Sequence, residues 1–215
     1  ISHTVLPSLI KSKLTTLSIQ NLHIDAESAS SAAESLASCL KTLEVFSWPL
    51  SAPLPPSLTS FQTNYIADSA YNSSKVDIFS KSASLLHVRL RKEHFLRELR
   101  WTLIFSTLPP NLLTLHLAEC AIYPFAASKP LPPSLTDLQI VTPNGYVPQQ
   151  ALPVQAFFQL TRLSCYLPTH FFRTLPHTLT DLSVQGTQPT LAMSDIAQLP
   201  VGLRNLSLAC LTRRL

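Results

Sequence analysis

The sequence predicts an α/β repeat solenoid. A curved parallel sheet of about nine short strands would line a concave face, with irregular, 3₁₀ or short helical segments on the convex side. Three observations predict it. A six-residue phrase, apolar-x-x-apolar-x-apolar, recurs nine times. Such a repeat implies stacked units that touch only their neighbours. Five copies share a preface, Leu-Pro-x-x, beginning at Leu54, Leu108, Leu131, Leu175 and Leu199. The last four residues of the phrase alternate, as a half-buried strand must.

The first apolar residue of each phrase anchors a strand. The anchors are Leu14, Leu40, Leu58, Leu85, Leu112, Leu135, Leu160, Leu179 and Leu203. One phrase is imperfect, with Thr63 in its last apolar slot. A single such strand cannot bury its apolar side, but stacked copies share one core. Proline fixes φ and lacks a backbone donor, so it suits the approach to a strand and not the strand itself. The Leu-Pro-Pro segments are therefore expected to be extended crossings leading into strands. Only 3 glycines occur, which fits chain reversals made by proline-rich segments.

Between strands, Asp25 to Cys39 is expected to be helical, with Asp25 as N-cap and several alanines inside. Lys92 to Phe105 fits a helix with Phe95, Leu96, Leu99 and Leu103 on one face; a strand over Leu99 to Phe105 fits nearly as well. The shortest anchor spacings, Leu40 to Leu58 and Leu160 to Leu179, leave room only for extended or 3₁₀ segments.

The phrase resembles the core of leucine-rich repeat proteins, L-x-x-L-x-L. Clear copies run from Leu112 to Leu117, Leu135 to Ile140, Leu179 to Val184 and Leu203 to Leu208. The resemblance extends from about Leu6 to the C-terminus. It implies a binding scaffold. One feature departs from it: the Asn or Cys expected three positions after the phrase is present only as Cys120, so the family's regular asparagine ladder is absent. The Leu-Pro-x-x-Leu form is similar to repeats of some bacterial effectors and of fungal and amoebal proteins.

Because the repeat runs unbroken, one domain is expected over residues 1–215. The first residue is Ile and no capping segment follows the last strand, so the chain is expected to be a fragment or to lack caps. Charged residues make up only 13%, so Ser, Thr and Gln must solvate much of the surface. Net charge is +4 and the pI is about 9.0. The excess is partly local, at Arg89, Arg91, Lys92, Arg97 and Arg100, then Arg213 and Arg214. A nucleic-acid surface would show a denser basic stripe, so nucleic acid is not the expected partner. Cys39, Cys120, Cys165 and Cys210 are dispersed and read as buried thiols, not as a metal site or disulfide cap. That favours a cytoplasmic setting. Secretion is the alternative, with Asn72 and Asn205 in glycosylation patterns. The longest uncharged apolar stretch, Trp101 to Ala118, is interrupted by Pro109 and Pro110, and no membrane span is expected.

Alternation places the third, fifth and seventh residues of each phrase on the open face, and most are polar. Two groups stand out there. His87, Arg89, Arg91 and His116 fall on adjacent strands as a cationic spot, suited to carboxylate or phosphate groups. Asp137, Arg162 and Asp181 share one position on three successive strands, where opposite charges can pair. Phe46 and Tyr166 are outward aromatics and candidate anchors. Ordinary solvated surface is the alternative reading of each. No P-loop, G-x-S-x-G, H-E-x-x-H or dinucleotide fingerprint occurs; no catalytic residue, metal or cofactor is expected. The expected function is a non-catalytic protein–protein interaction module whose partner carries an acidic patch. Two alternatives are the substrate-recognition part of a larger enzyme such as a ubiquitin ligase, and a structural subunit of an assembly.

Overall fold

A computed structural model describes residues 14–19, 26–35, 39–49, 51–67, 78–79, 81–91, 107–118, 131–141, 158–167, 169–186 and 193–210. Nine strands form one sheet in sequence order, every neighbouring pair parallel. They are β1 (Thr16–Ile19), β2 (Thr42–Pro49), β3 (Ser60–Ala67), β4 (His87–Arg91) and β5 (Thr114–Ala118), followed by β6 (Asp137–Val141), β7 (Arg162–Tyr166), β8 (Asp181–Gly186) and β9 (Asn205–Cys210). Each begins at the third residue of its phrase, and third residues pair with third residues through the whole stack, from Thr16–Thr42 to Asp181–Asn205. The chain is a parallel-strand solenoid.

One backbone contact recurs at all eight steps and holds this register. The carbonyl of each phrase's second residue accepts two N–H groups of the next repeat, from its second and third residues. Thr15 O accepts from Lys41 and Thr42 at 2.8 and 3.0 Å, and Thr180 O from Arg204 and Asn205 at 2.8 and 3.0 Å. Where the second residue is threonine, its hydroxyl reaches the same carbonyl: Thr59 to Lys41 O, Thr136 to Leu113 O, Thr161 to Thr136 O and Thr180 to Thr161 O, at 3.0–3.1 Å.

The core lies on the other side of the sheet. Inward residues from Leu43 and Val45 on β2 to Leu182 and Val184 on β8 are buried, and seven of the anchor leucines, from Leu40 to Leu179, are likewise buried. Thr63, the polar residue in an apolar slot, is fully buried and donates its hydroxyl to Phe46 O at 3.3 Å. That bond offsets the desolvation of the hydroxyl. Nearby, Trp48 donates Nε1–H to Ala52 O at 3.0 Å and meets Phe61 edge-on, ring centroids 6.3 Å apart.

The Leu-Pro-x-x-Leu segments differ from the extended crossings expected of them. Each closes a tight turn, in which the anchor N–H bonds back to the proline carbonyl: Leu58 to Pro55, Leu112 to Pro109, Leu135 to Pro132, Leu179 to Pro176 and Leu203 to Pro200, at 3.0–3.2 Å. The physical reason is that proline as first residue of a turn contributes only its carbonyl. The second proline of Pro-Pro, at position i+1, has the φ such a turn needs. The residue before the anchor then points at the previous repeat. Ser57 donates to Leu40 O and Thr178 to Leu160 O, both at 2.8 Å. Ser134 Oγ lies 2.8 Å from both Pro110 O and Leu112 O.

Among the described residues, two helices and a 3₁₀ segment lie between the strands. Helix α1 spans Ala26–Ser35, within the expected helical stretch; Asp25 lies outside the described residues, as do Lys92 to Phe105. A 3₁₀ helix, Thr169–Thr174, fills the short Leu160–Leu179 interval. A single turn, α2 (Met193–Ile196), was not expected. At the last strand the pattern changes: inward Leu206 and Leu208 are 40% and 43% exposed.

Gly202 occupies the place held by Ser57, Ser134 and Thr178. Its backbone lies outside the left-handed region, and a Cβ there would sit 3.4 Å from His177 O and 3.9 Å from Leu179 O. These two carbonyls correspond to those near Ser134. Gly202→Ser is therefore expected to add the missing hydroxyl contact and to restrict the unfolded chain, stabilising by about 0.5–2 kcal/mol. Thermal unfolding followed by circular dichroism checks this; a Tm equal to or below the parent's would refute the hydroxyl ladder as a source of stability.

Candidate functional site

The open face carries the third, fifth and seventh residues of the phrases, and those described are exposed or half-buried; Gln20 lies outside the described residues. The parallel register sets like positions side by side, about 4.8 Å apart. The chemistry of the face therefore reads in rows running across the strands.

In the third-residue row, Arg162 Nη1 lies 3.1 Å from Asp137 Oδ2. On the other side of Asp137, His116 Nε2 approaches Oδ1 at 3.4 Å, out of line for a hydrogen bond. Burial pushes the Asp137 carboxyl up, but His116 and Arg162 outweigh it and hold it below its ordinary 3.8. Asp181 continues the row. Thr180 Oγ1 lies 2.7 Å from its Oδ2, and Asn205 Nδ2 donates to its Oδ1 at 2.6 Å. The Thr180 hydroxyl has one proton, drawn to the shorter, charge-assisted contact. The two hydrogen bonds lower the Asp181 pKa, and Arg162 and Arg204 add to the effect.

The fifth-residue row holds a second network. Ser18 donates to Glu44 Oε2 at 3.2 Å and Gln62 Nε2 to Oε1 at 3.0 Å. Further along, Gln139, Ser164, Ser183 and Ser207 stand in register on β6 to β9. With His116, Asp137, Arg162, Asp181, Arg204 and Asn205 they line a groove of about 680 Å³.

Each candidate residue thus has a place. His87, Arg89 and Arg91 are exposed along β4. His87 Nδ1 lies 3.0 Å from Thr114 Oγ1. Arg89 is in register with Gln62 on one side and His116 on the other. Among the described residues, neither Arg89 nor Arg91 carries an ion pair. His116 links the expected cationic spot to the acid–base row. Phe46 on β2 and Tyr166 on β7 are half-buried and stand on well-separated strands, so they do not form one aromatic site. Of the basic residues noted beyond β4, Lys92, Arg97, Arg100, Arg213 and Arg214 lie outside the described residues.

Sequence reasoning missed Glu44, Gln62, Arg204, Asn205 and Thr180 as parts of the face's electrostatics. The Ser18–Glu44–Gln62 contacts were available from the register, since all three are fifth residues. The diagonal His116–Asp137 contact was not.

Cys39 and Cys165 are free thiols. Burial pushes the Cys165 thiol up to about 12, which keeps it in the unreactive protonated form. No helix among the described residues is long and apolar enough to cross a membrane. No protein-family model matches the chain, and no curated protein matches it.

Because the Asp137 pKa is depressed on folding, its ionised form contributes stability that is complete above about pH 5 and is lost as pH falls through the native value below 3.8. Asp137→Asn should destabilise by about 0.5–1 kcal/mol at pH 7. The difference should vanish in acid below the native pKa. Denaturant titrations of both proteins from pH 7 to pH 2 check this, and a constant difference across the range would contradict it.

Proposed function

We propose that this chain is a divergent leucine-rich repeat that acts as a non-catalytic protein-binding module. Its open, concave sheet face takes a partner with an acidic patch. The observation that carries this reading is on β4. Arg89 and Arg91 stand exposed on an uncovered sheet face, without ion pairs among the described residues. A guanidinium whose fork is unspent can grip carboxylates in two-point contacts, and arginine is enriched where interfaces gain most of their energy. The phrase, the parallel register and the polar alternation support the leucine-rich repeat assignment. The cytoplasm is the compartment proposed, from the dispersed free thiols.

Capture of partners from native lysate by the parent chain and by the double variant Arg89→Glu/Arg91→Glu tests the reading. A specifically captured protein should be lost from the variant while circular dichroism remains unchanged, and should return with Arg89→Lys/Arg91→Lys only in part. Equal capture by parent and double variant would move the site off this face.

A second reading, a structural subunit, is favoured by the exposed inward-type Leu206 and Leu208 of β9. Unpaired strand edges and exposed aliphatic side chains both invite another layer. On this reading the isolated chain self-associates at micromolar concentration, and Leu206→Ser/Leu208→Ser makes it monomeric in sedimentation velocity. A parent chain that is already monomeric would remove this alternative.

A further inference from the structure

The carboxylates and the guanidinium groups of the open face differ in how far they are satisfied. All three acidic side chains of the described face have polar partners. Glu44, with Ser18 and Gln62, and Asp181, with Thr180 and Asn205, are hydrogen-bonded at both oxygens. Asp137 pairs with Arg162 at one oxygen, with His116 beside the other. The basic groups are left with donors to spare. Arg89 and Arg91 are unpaired among the described residues. Arg162 commits Nη1 to Asp137 and keeps 63% of its side chain exposed. Arg204, exposed at the mouth of the groove, has no ion pair there either. The hydroxyls of Ser164, Ser183 and Ser207 line the floor between them. Partnered carboxylates beside unpaired guanidinium groups define a surface for an acceptor-rich, negatively charged ligand.

The sheet also sets the spacing of those donors. From β4 to β7 is three strand intervals, about 14 Å, and from β7 to β9 two, about 10 Å. An extended peptide advances about 3.3 Å per residue and turns alternate side chains to opposite sides, so steps of four residues keep its acids on one side and span each interval within the reach of an arginine side chain.

We infer that the face binds an extended acidic peptide segment running across the strands. Acidic side chains near i, i+4 and i+8, which share one side of an extended chain, meet Arg89 with Arg91, then Arg162, then Arg204, and the serine row bonds its backbone. This rests on the protein-binding reading above and deepens it, naming the partner's conformation and charge spacing. A nucleic acid strand fits less well, because a charge at every nucleotide would set phosphates against Asp137 and Asp181.

Fluorescence anisotropy at low ionic strength tests it with two short serine-rich peptides of equal composition. One carries glutamates at i, i+4 and i+8, and the other carries the same three glutamates adjacent. The spaced peptide should bind about tenfold more tightly. Arg162→Gln and Arg204→Gln should each weaken it several-fold and leave the adjacent peptide little changed. Equal affinities for the two peptides overturn the inference, as does an absence of binding by both. Loss on Arg89→Glu/Arg91→Glu with no effect of Arg162→Gln or Arg204→Gln also overturns it. In that last case the β4 arginines still recognise an acidic partner, so the broader reading survives. A single-stranded oligonucleotide that binds more tightly than the spaced peptide would replace a peptide by a nucleic acid.

Discussion

A single carbonyl in each repeat governs the rest of this molecule. The second residue of every phrase accepts two N–H groups from the repeat that follows, at all eight steps. A backbone carbonyl has two lone pairs, so one group can satisfy two donors where the chain turns into the sheet. The consequence is register. With second residue bound to second and third, the third residues stand in line, the apolar fourth and sixth residues point to one core, and the open face becomes a set of rows. A slip by one residue would turn every side chain to the opposite side.

The turns before the strands support this arrangement through hydroxyls. Leu-Pro-x-x-Leu closes on its proline carbonyl and aims the residue before the anchor at the previous repeat, where Ser57, Ser134 and Thr178 find carbonyl partners. Thr59, Thr136 and Thr161 at the second position add contacts to the shared carbonyl. Satisfying backbone carbonyls is a requirement of any buried turn. Serine and threonine meet it here with side chains short enough to fit between layers spaced as strands are. Uneven repeat lengths leave these contacts unchanged, since the shared carbonyl contact involves only the second and third residues of each phrase.

On the open face, the same in-line stacking decides electrostatics. Like positions are neighbours, so charge at one phrase position is read against the same position in the next repeat. Asp137 meets Arg162, Asp181 meets Asn205, and Glu44 sits between Ser18 and Gln62. These pairs engage the face's carboxylates and leave guanidinium groups over, with a net character that composition alone, at +4 over the whole chain, would not reveal.

The strands, their order and the identity of the open face were legible in the sequence, because apolar alternation at a recurring phrase has one way to bury its side chains. Helix α1 was legible from its alanines, and the 3₁₀ segment from the lack of room between Leu160 and Leu179. Only the tertiary structure decided the turns. Whether Leu-Pro-Pro extends or closes depends on a hydrogen bond to its own anchor and on a carbonyl one repeat away. The tertiary structure likewise decided that His116 reaches diagonally to Asp137. A periodic sequence specifies which side a residue faces, since that follows from backbone geometry. Which neighbour it touches depends on side-chain length and on the layer stacked against it, and those exist only once the repeats are assembled.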